Sequence, residues 1–74
     1  MKRNILLYTD EDGAWIAEVP SLPGCHSDGQ TRDEALANVK EAIELWIEDT
    51  QAHGELISEE YENCELVSLE LAAL

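Results

Sequence analysis

The stretch Pro20-Ser21-Leu22-Pro23-Gly24-Cys25-His26-Ser27-Asp28-Gly29-Gln30, with the residues just after it, constrains the fold most. Pro20, Pro23, Gly24 and Gly29 fall within ten residues. Proline fixes φ and glycine admits φ above zero, so these four shape a rigid loop. Thr31 and Glu34 then form a Thr-x-x-Glu capping box. The Thr31 hydroxyl is expected to accept from the N–H of Glu34, and the Glu34 carboxylate to reach back to the N–H of Thr31. Asp33 adds negative charge in the first turn, where the helix dipole favours it. A helix starts here.

From Arg32 to His53 the pattern has helical period. Leu36, Val39, Ile43 and Trp46 recur at three- and four-residue steps, flanked by Ala35, Ala42 and Ile47, and make one apolar stripe. Gly54 is the expected stop, with His53 favourable in the last turn. At ~1.5 Å per residue the helix is ~33 Å long, enough to cross a whole small sheet.

Upstream, Ile5 to Thr9 is rich in β-formers, and Asp10-Glu11-Asp12-Gly13 reads as a turn with Gly13 at a φ > 0 position. Ala14 to Val19 is a second strand in which Trp15, Ala17 and Val19 share one face, so the two strands form an antiparallel hairpin. Pro20 ends the second strand, and a short extended piece around Cys25 to Asp28 adds a third. Beyond the helix, Glu55 to Asn63 is an acidic connection and Cys64 to Leu71 reads as a last strand. Val67, Leu69 and Leu71 lie on one side of it, and Leu66 lies on the other with Cys64, Ser68 and Glu70. The predicted class is α+β in the order β-β-β-α-β, a mostly antiparallel sheet with one long helix on one face. Seventy-four residues leave room for one domain, 1–74. At that size oligomerisation is a natural supplement to a small core. The second face of the sheet, carrying Leu6, Tyr8, Ile16 and Leu66, invites a partner or a second copy.

Charge narrows the function. Four Lys and Arg stand against seventeen Asp and Glu, a net charge of −13. This opposes phosphate and direct nucleic-acid binding and favours a basic protein partner. The first apolar run, Ile5 to Tyr8, is far too short for a signal peptide or a membrane span, so the expected location is cytoplasmic, away from membranes. Cys25 and Cys64 are then reduced, as small apolar fillers.

No catalytic, metal or cofactor site is expected. Asp10 and Asp12 lack the further ligands of a calcium loop. Cys25, His26, His53 and Cys64 fit no usual zinc spacing. Adjacent strand residues such as Cys25 and His26 point to opposite faces, which rules out a nucleophile pair. The carboxylates do not converge as a two-metal nuclease requires. Trp15 and Trp46 fall on apolar stripes and are assigned to the core rather than to an interface hot spot.

The runs Asp12-Gly13-Ala14-Trp15-Ile16-Ala17-Glu18-Val19-Pro20, Leu22-Pro23-Gly24-Cys25, Gly29-Gln30-Thr31, Glu34-Ala35-Leu36-Ala37-Asn38 and Glu41-Ala42-Ile43 occur in this order. In that ordered combination, from about Ile5 to Trp46, the chain resembles the HicB antitoxin N-terminal domain. The resemblance implies a truncated RNase H-like β-β-β-α-β fold without a working nuclease centre, and hence no enzyme. It also implies binding to a small basic HicA-like toxin that cleaves mRNA, with its active surface covered, and assembly into homodimers or homotetramers. The C-terminal operator-binding segment typical of the family is not expected in this chain, which reaches Leu74 just after the last strand.

Partner contacts are placed at Asp10, Glu11 and Asp12 in the hairpin turn and at His26 and Asp28 before the helix. Glu41, Leu45 and Glu48 on the outer helix face complete the set, as acidic surface opposes a basic one. The alternative is an orphan oligomeric module that binds another protein or a small ligand without catalysis.

Overall fold

Three short antiparallel strands precede one long helix in the structure, a computed structural model that describes residues 2–72. The elements are β1 (Leu6–Thr9), β2 (Trp15–Glu18), β3 (His26–Gly29) and α1 (Arg32–Ala52), and the sheet order is β1-β2-β3. The α+β class and the β-β-β-α order therefore hold.

The hairpin turn is built by Asp10. Its Oδ1 accepts from the N–H groups of Asp12 and Ala14, each at 2.9 Å. Its own N–H donates to the Ala14 carbonyl at 2.9 Å, and Gly13 takes φ 84° as expected. The proline loop closes just as tightly. The Val19 N–H donates to the Cys25 carbonyl, the Leu22 N–H to Val19, and the Cys25 N–H to Leu22. Leu22 is thereby turned inward and is fully buried.

The helix start departs from expectation by one residue. The Thr31 hydroxyl accepts from the Glu34 N–H at 3.1 Å, but the Glu34 carboxylate accepts from Gln30 rather than Thr31, also at 3.1 Å. Gln30 lies just outside the cap, so the same reciprocal bond satisfies a different orphan donor. The helix ends in a Schellman arrangement. The Gly54 N–H donates to Gln51 and the Glu55 N–H to Thr50, with Gly54 at φ 71°.

The core comprises Ala17, Val19, Leu22, Cys25, Ala35 and Val39, with Trp15 and Trp46 packed partly buried against it. Ala17 and Ala35 bring helix and sheet close. Cys25 is a buried free thiol whose pKa burial pushes up. Cys64, expected as a filler, is instead exposed.

The predicted last strand is corrected. Residues 64–71 carry no strand pairing, and Leu66, Val67, Leu69 and Leu71 are exposed. Leu66 nonetheless lines a pocket with Leu6, a residue of the second sheet face. Alternation alone does not make a strand; the segment also has to form ladder hydrogen bonds with a neighbouring strand, and residues 64–71 form none. The chain is instead tethered further upstream. Ser58 Oγ donates to the Ser21 carbonyl at 2.6 Å, Tyr61 O–H donates to the Pro20 carbonyl, and a Glu60 carboxylate oxygen accepts from the Asn4 N–H. Past these anchors residues 62–72 are exposed, and Cys64, Glu65 and Leu66 line a pocket with Asn4, Ile5, Leu6 and Pro20.

The Asn4 N–H, above all, holds the Glu60 carboxyl below the usual carboxylate range. A carboxylate with a depressed folded-state pKa adds stability at pH above its unfolded value, and that stability is lost as pH falls through the folded value. Acidification through that window is expected to free residues 57–61 from Asn4, Pro20 and Ser21. Limited proteolysis with pepsin should then cut after Leu56 or Tyr61 faster in wild type at lower pH, whereas Glu60→Gln should show a flatter pH dependence. Equal pH dependence in both proteins would count against the tether.

Candidate protein-interaction surface

Sheet register sorts the strand residues onto two faces. Leu7, Ala17 and Ser27 lie opposite one another, as do Thr9, Trp15 and Gly29, on the helix side. Leu6, Glu18 and His26 form one row of the other face, and Tyr8, Ile16 and Asp28 form the next. This face carries no helix. Its centre is Leu6, Ile16 and Glu18, all half-buried, and Tyr8, His26 and Asp28 around them are exposed. Leu6 and Ile16 give this centre its apolar part, and Glu18 and Asp28 set carboxylates beside them, the mixed layout of a protein-binding patch.

The polar groups on this face are organised. Tyr8 O–H donates to Glu18 Oε1 at 2.6 Å across the strands. That bond to Glu18, with smaller contributions from desolvation and from the Glu18 charge, pushes the Tyr8 phenol above its ordinary value. Asn38 Nδ2 donates to the Asp28 carbonyl at 2.8 Å and so ties the end of β3 to the helix. The Asp28 side chain remains on the exposed face.

The eight residues expected to meet a partner fall on two sides. Asp10, Glu11 and Asp12 sit in the turn at the Asp28 end of the sheet, and Asp28 and His26 sit on the open face. Glu41, Leu45 and Glu48 recur at four- and three-residue steps, off the stripe of Ala35, Val39 and Trp46 that meets the sheet. They therefore face away from the sheet, with Leu45 at 60 % exposure among acids. One flat partner cannot touch both groups. Asp10 is also engaged inside its own turn, which leaves Glu11 and Asp12 as the outward acids there.

Glu18 joins the surface without having been singled out from the sequence. Its signal was present: it alternates with Trp15, Ala17 and Val19 and so shares a face with Ile16. In the loop that holds Pro20 and Pro23, Gly24 takes φ 81°. Gly29 does something different, because it makes room for the helix. A Cβ built there lies 2.5 Å from the Ala35 amide nitrogen.

Among the described residues no three His, Cys, Asp or Glu side chains are grouped to hold a metal ion, and no helix is long and apolar enough to cross a membrane. The ion pairs that involve the expected helix region are His53 with Asp49 at 3.5 Å and Arg32 with Asp33 at 3.9 Å, both exposed.

Comparison with known proteins gives a consistent picture. A family model described as the HicB_like antitoxin of bacterial toxin-antitoxin system matches residues 4–70. A UPF0150 protein of Thermoplasma acidophilum is 47% identical over 57 residues, covering 77% of this chain and 83% of the relative. A UPF0150 protein of Helicobacter pylori is 42% identical over 69 residues, covering 93% of each. One of Archaeoglobus fulgidus is 52% identical over 48 residues, covering 65% of this chain and 70% of the relative. No solved structure was found to match the chain.

Proposed function

This chain belongs to the HicB-like antitoxin family, and from that premise we propose that it neutralises a small basic HicA-type toxin by covering its RNA-binding and active surface. The observation that carries this reading is the acidic open sheet face. Glu18 and Asp28 flank an apolar centre of Leu6 and Ile16, and Glu11 and Asp12 extend the acid into the adjoining turn. A basic RNA-binding surface would meet carboxylates where phosphates otherwise lie, and long-range attraction would speed the encounter. We place His26 at the rim of this contact and Asp10 behind it as the residue that holds the turn. Glu41, Leu45 and Glu48 form a second, separate acidic side. The protein acts by occupancy and performs no chemistry of its own.

The test begins with a pull-down from a lysate of the source organism at low salt, repeated at high salt. A small basic protein should elute as salt rises, and adding the chain back should silence that protein's RNA cleavage. The variant Glu11→Gln/Asp12→Asn/Glu18→Gln/Asp28→Asn should then associate with it at least ~10-fold more slowly and with a weaker salt dependence. Matching neutralisation of Glu41 and Glu48 should change the rate by less than ~3-fold. The reverse ranking would move the contact to the helix side. Recovery of the chain alone as a stable oligomer, with no basic companion, would replace this reading with an orphan binding module.

A further inference from the structure

We infer that the cleft between the proline loop and the end of β2 takes an arginine side chain of a basic protein partner. The inference rests on the reading that the open sheet face meets such a partner, and it names the chemistry of one contact there. The cleft holds about 290 Å³ and is lined by Glu18, Pro20, Pro23, Gly24 and His26, over Val19 and Cys25. Val19 and Cys25 are buried, and the Val19 N–H donates to the Cys25 carbonyl at 3.0 Å, so the base of the cleft is fixed. Pro20, Pro23 and Gly24 are exposed. Register places His26 directly across from Glu18, in the row that also holds Leu6. The cleft therefore adjoins the open face.

Charge selects a cation. Among the described residues that line the cleft, Glu18 is the one carboxylate, and none is Lys or Arg. This carboxylate does not swing freely. Glu18 is half-buried, and its Oε1 accepts from the Tyr8 O–H at 2.6 Å, which ties it across the strands. Each carboxylate oxygen has two acceptor sites, so both Oε1 and Oε2 can still receive an incoming donor.

Shape selects arginine among cations. A guanidinium is planar and weakly hydrated, and it presents its N–H groups as a fork that matches a carboxylate. It can bond both Glu18 oxygens while its flat faces lie against the proline rings and the His26 imidazole. The methylene stem behind it can pack along Pro20 and Pro23. A lysine ammonium is a compact, strongly hydrated point charge and gains less from such walls. Tyr8 is then a positioning residue: it holds Glu18 and so fixes the direction from which the fork approaches.

The experiment titrates the full ¹⁵N-labelled chain with acetyl-Gly-Arg-Gly-amide at constant ionic strength and follows the amide shifts by NMR. The arginine peptide should move the Glu18, Gly24 and His26 amides along one saturating curve, with a Kd of ~10 mM or tighter. Acetyl-Gly-Lys-Gly-amide should bind at least ~5-fold more weakly. Glu18→Gln keeps the side-chain shape and can still accept from Tyr8, but should weaken the arginine peptide by at least ~10-fold. Tyr8→Phe should weaken the arginine peptide ~3-fold and leave the lysine peptide unchanged, a loss of discrimination that a general loss of structure would not give. The same spectra report whether each variant is folded. Equal affinity for the two peptides, shifts that gather elsewhere, no saturation, or a Glu18→Gln curve that matches wild type would each overturn the proposal. The titration uses no toxin. A saturating arginine curve with no basic protein in the pull-down would keep the arginine site and retire the toxin. A recovered basic protein whose association ignores Glu18→Gln would keep the toxin and overturn the site.

Discussion

Gly29→Ala is expected to lower stability by about 3 kcal/mol, toward the upper end of the range for overpacking a close-packed site. The cause is contact, since Gly29 does not sit at positive φ. A methyl group at this position would stand 2.5 Å from the Ala35 nitrogen and 2.9 Å from the carbonyl carbon and Cβ of Glu34. None of these atoms is the far end of a flexible side chain. Relief requires the first turn of the helix to move, and that turn is pinned by Thr31 to Glu34, by Glu34 to Gln30 and by Asn38 to Asp28. For a domain of this size ~3 kcal/mol corresponds to a fall in Tm of more than ~10 °C. Thermal unfolding at one fixed protein concentration measures it. A fall of less than ~4 °C would mean that the helix start has room to retreat.

Leu22→Ala should cost a similar amount, about 3 kcal/mol, for a different reason. Leu22 is fully buried among Val19, Cys25, Ala17, Ala35 and Val39. Truncating it removes transfer energy and leaves a cavity that the loop cannot close, because its N–H and carbonyl are held by Val19 and Cys25. Leu45→Ala is the matched control: a leucine 60 % exposed should change stability by less than ~0.5 kcal/mol. Urea unfolding of the two variants side by side decides the matter through their midpoints. Equal midpoints would remove Leu22 from the core.

These two residues also mark where the sequence can be read and where it cannot. The helix from Arg32, its cap at Thr31 and its stop at Gly54 follow from local chemistry, and the structure reproduces them. The hairpin follows from alternation and from Gly13. The roles of Leu22 and Gly29 do not follow, because both depend on how separate segments meet. A leucine between two prolines looks like loop, and only the hydrogen bonds from Val19 to Cys25 turn it inward. A glycine before a helix looks like a conformational device, and only the approach of Ala35 shows that the space itself matters. The last strand fails for the same reason: its alternation is real, but pairing depends on where the chain beyond Gly54 runs, and residues 64–71 take no strand pairing.

The open sheet face was legible in part. Leu6, Tyr8 and Ile16 could be placed on it by period alone, and the acids of the turn beside it by the hairpin reading. Glu18 was hidden by its neighbours, since attention falls on Trp15, Ala17 and Val19. The separation of Glu41, Leu45 and Glu48 from the turn could not be read, because it depends on which side of the sheet the helix covers.

The bond between Asn4 and Glu60 spans 56 positions of the chain. The hairpin, the proline loop and the helix close over far shorter distances, so each can form as soon as its residues are available. The tether is the contact of highest sequence separation described here, and closing so long a loop costs the most chain entropy. It is therefore a late event on the folding route. A chain still being synthesised would hold a finished helix and hairpin before its tail is fastened. During that interval Asn4, Pro20 and Ser21 still face water where the tail will later bond them.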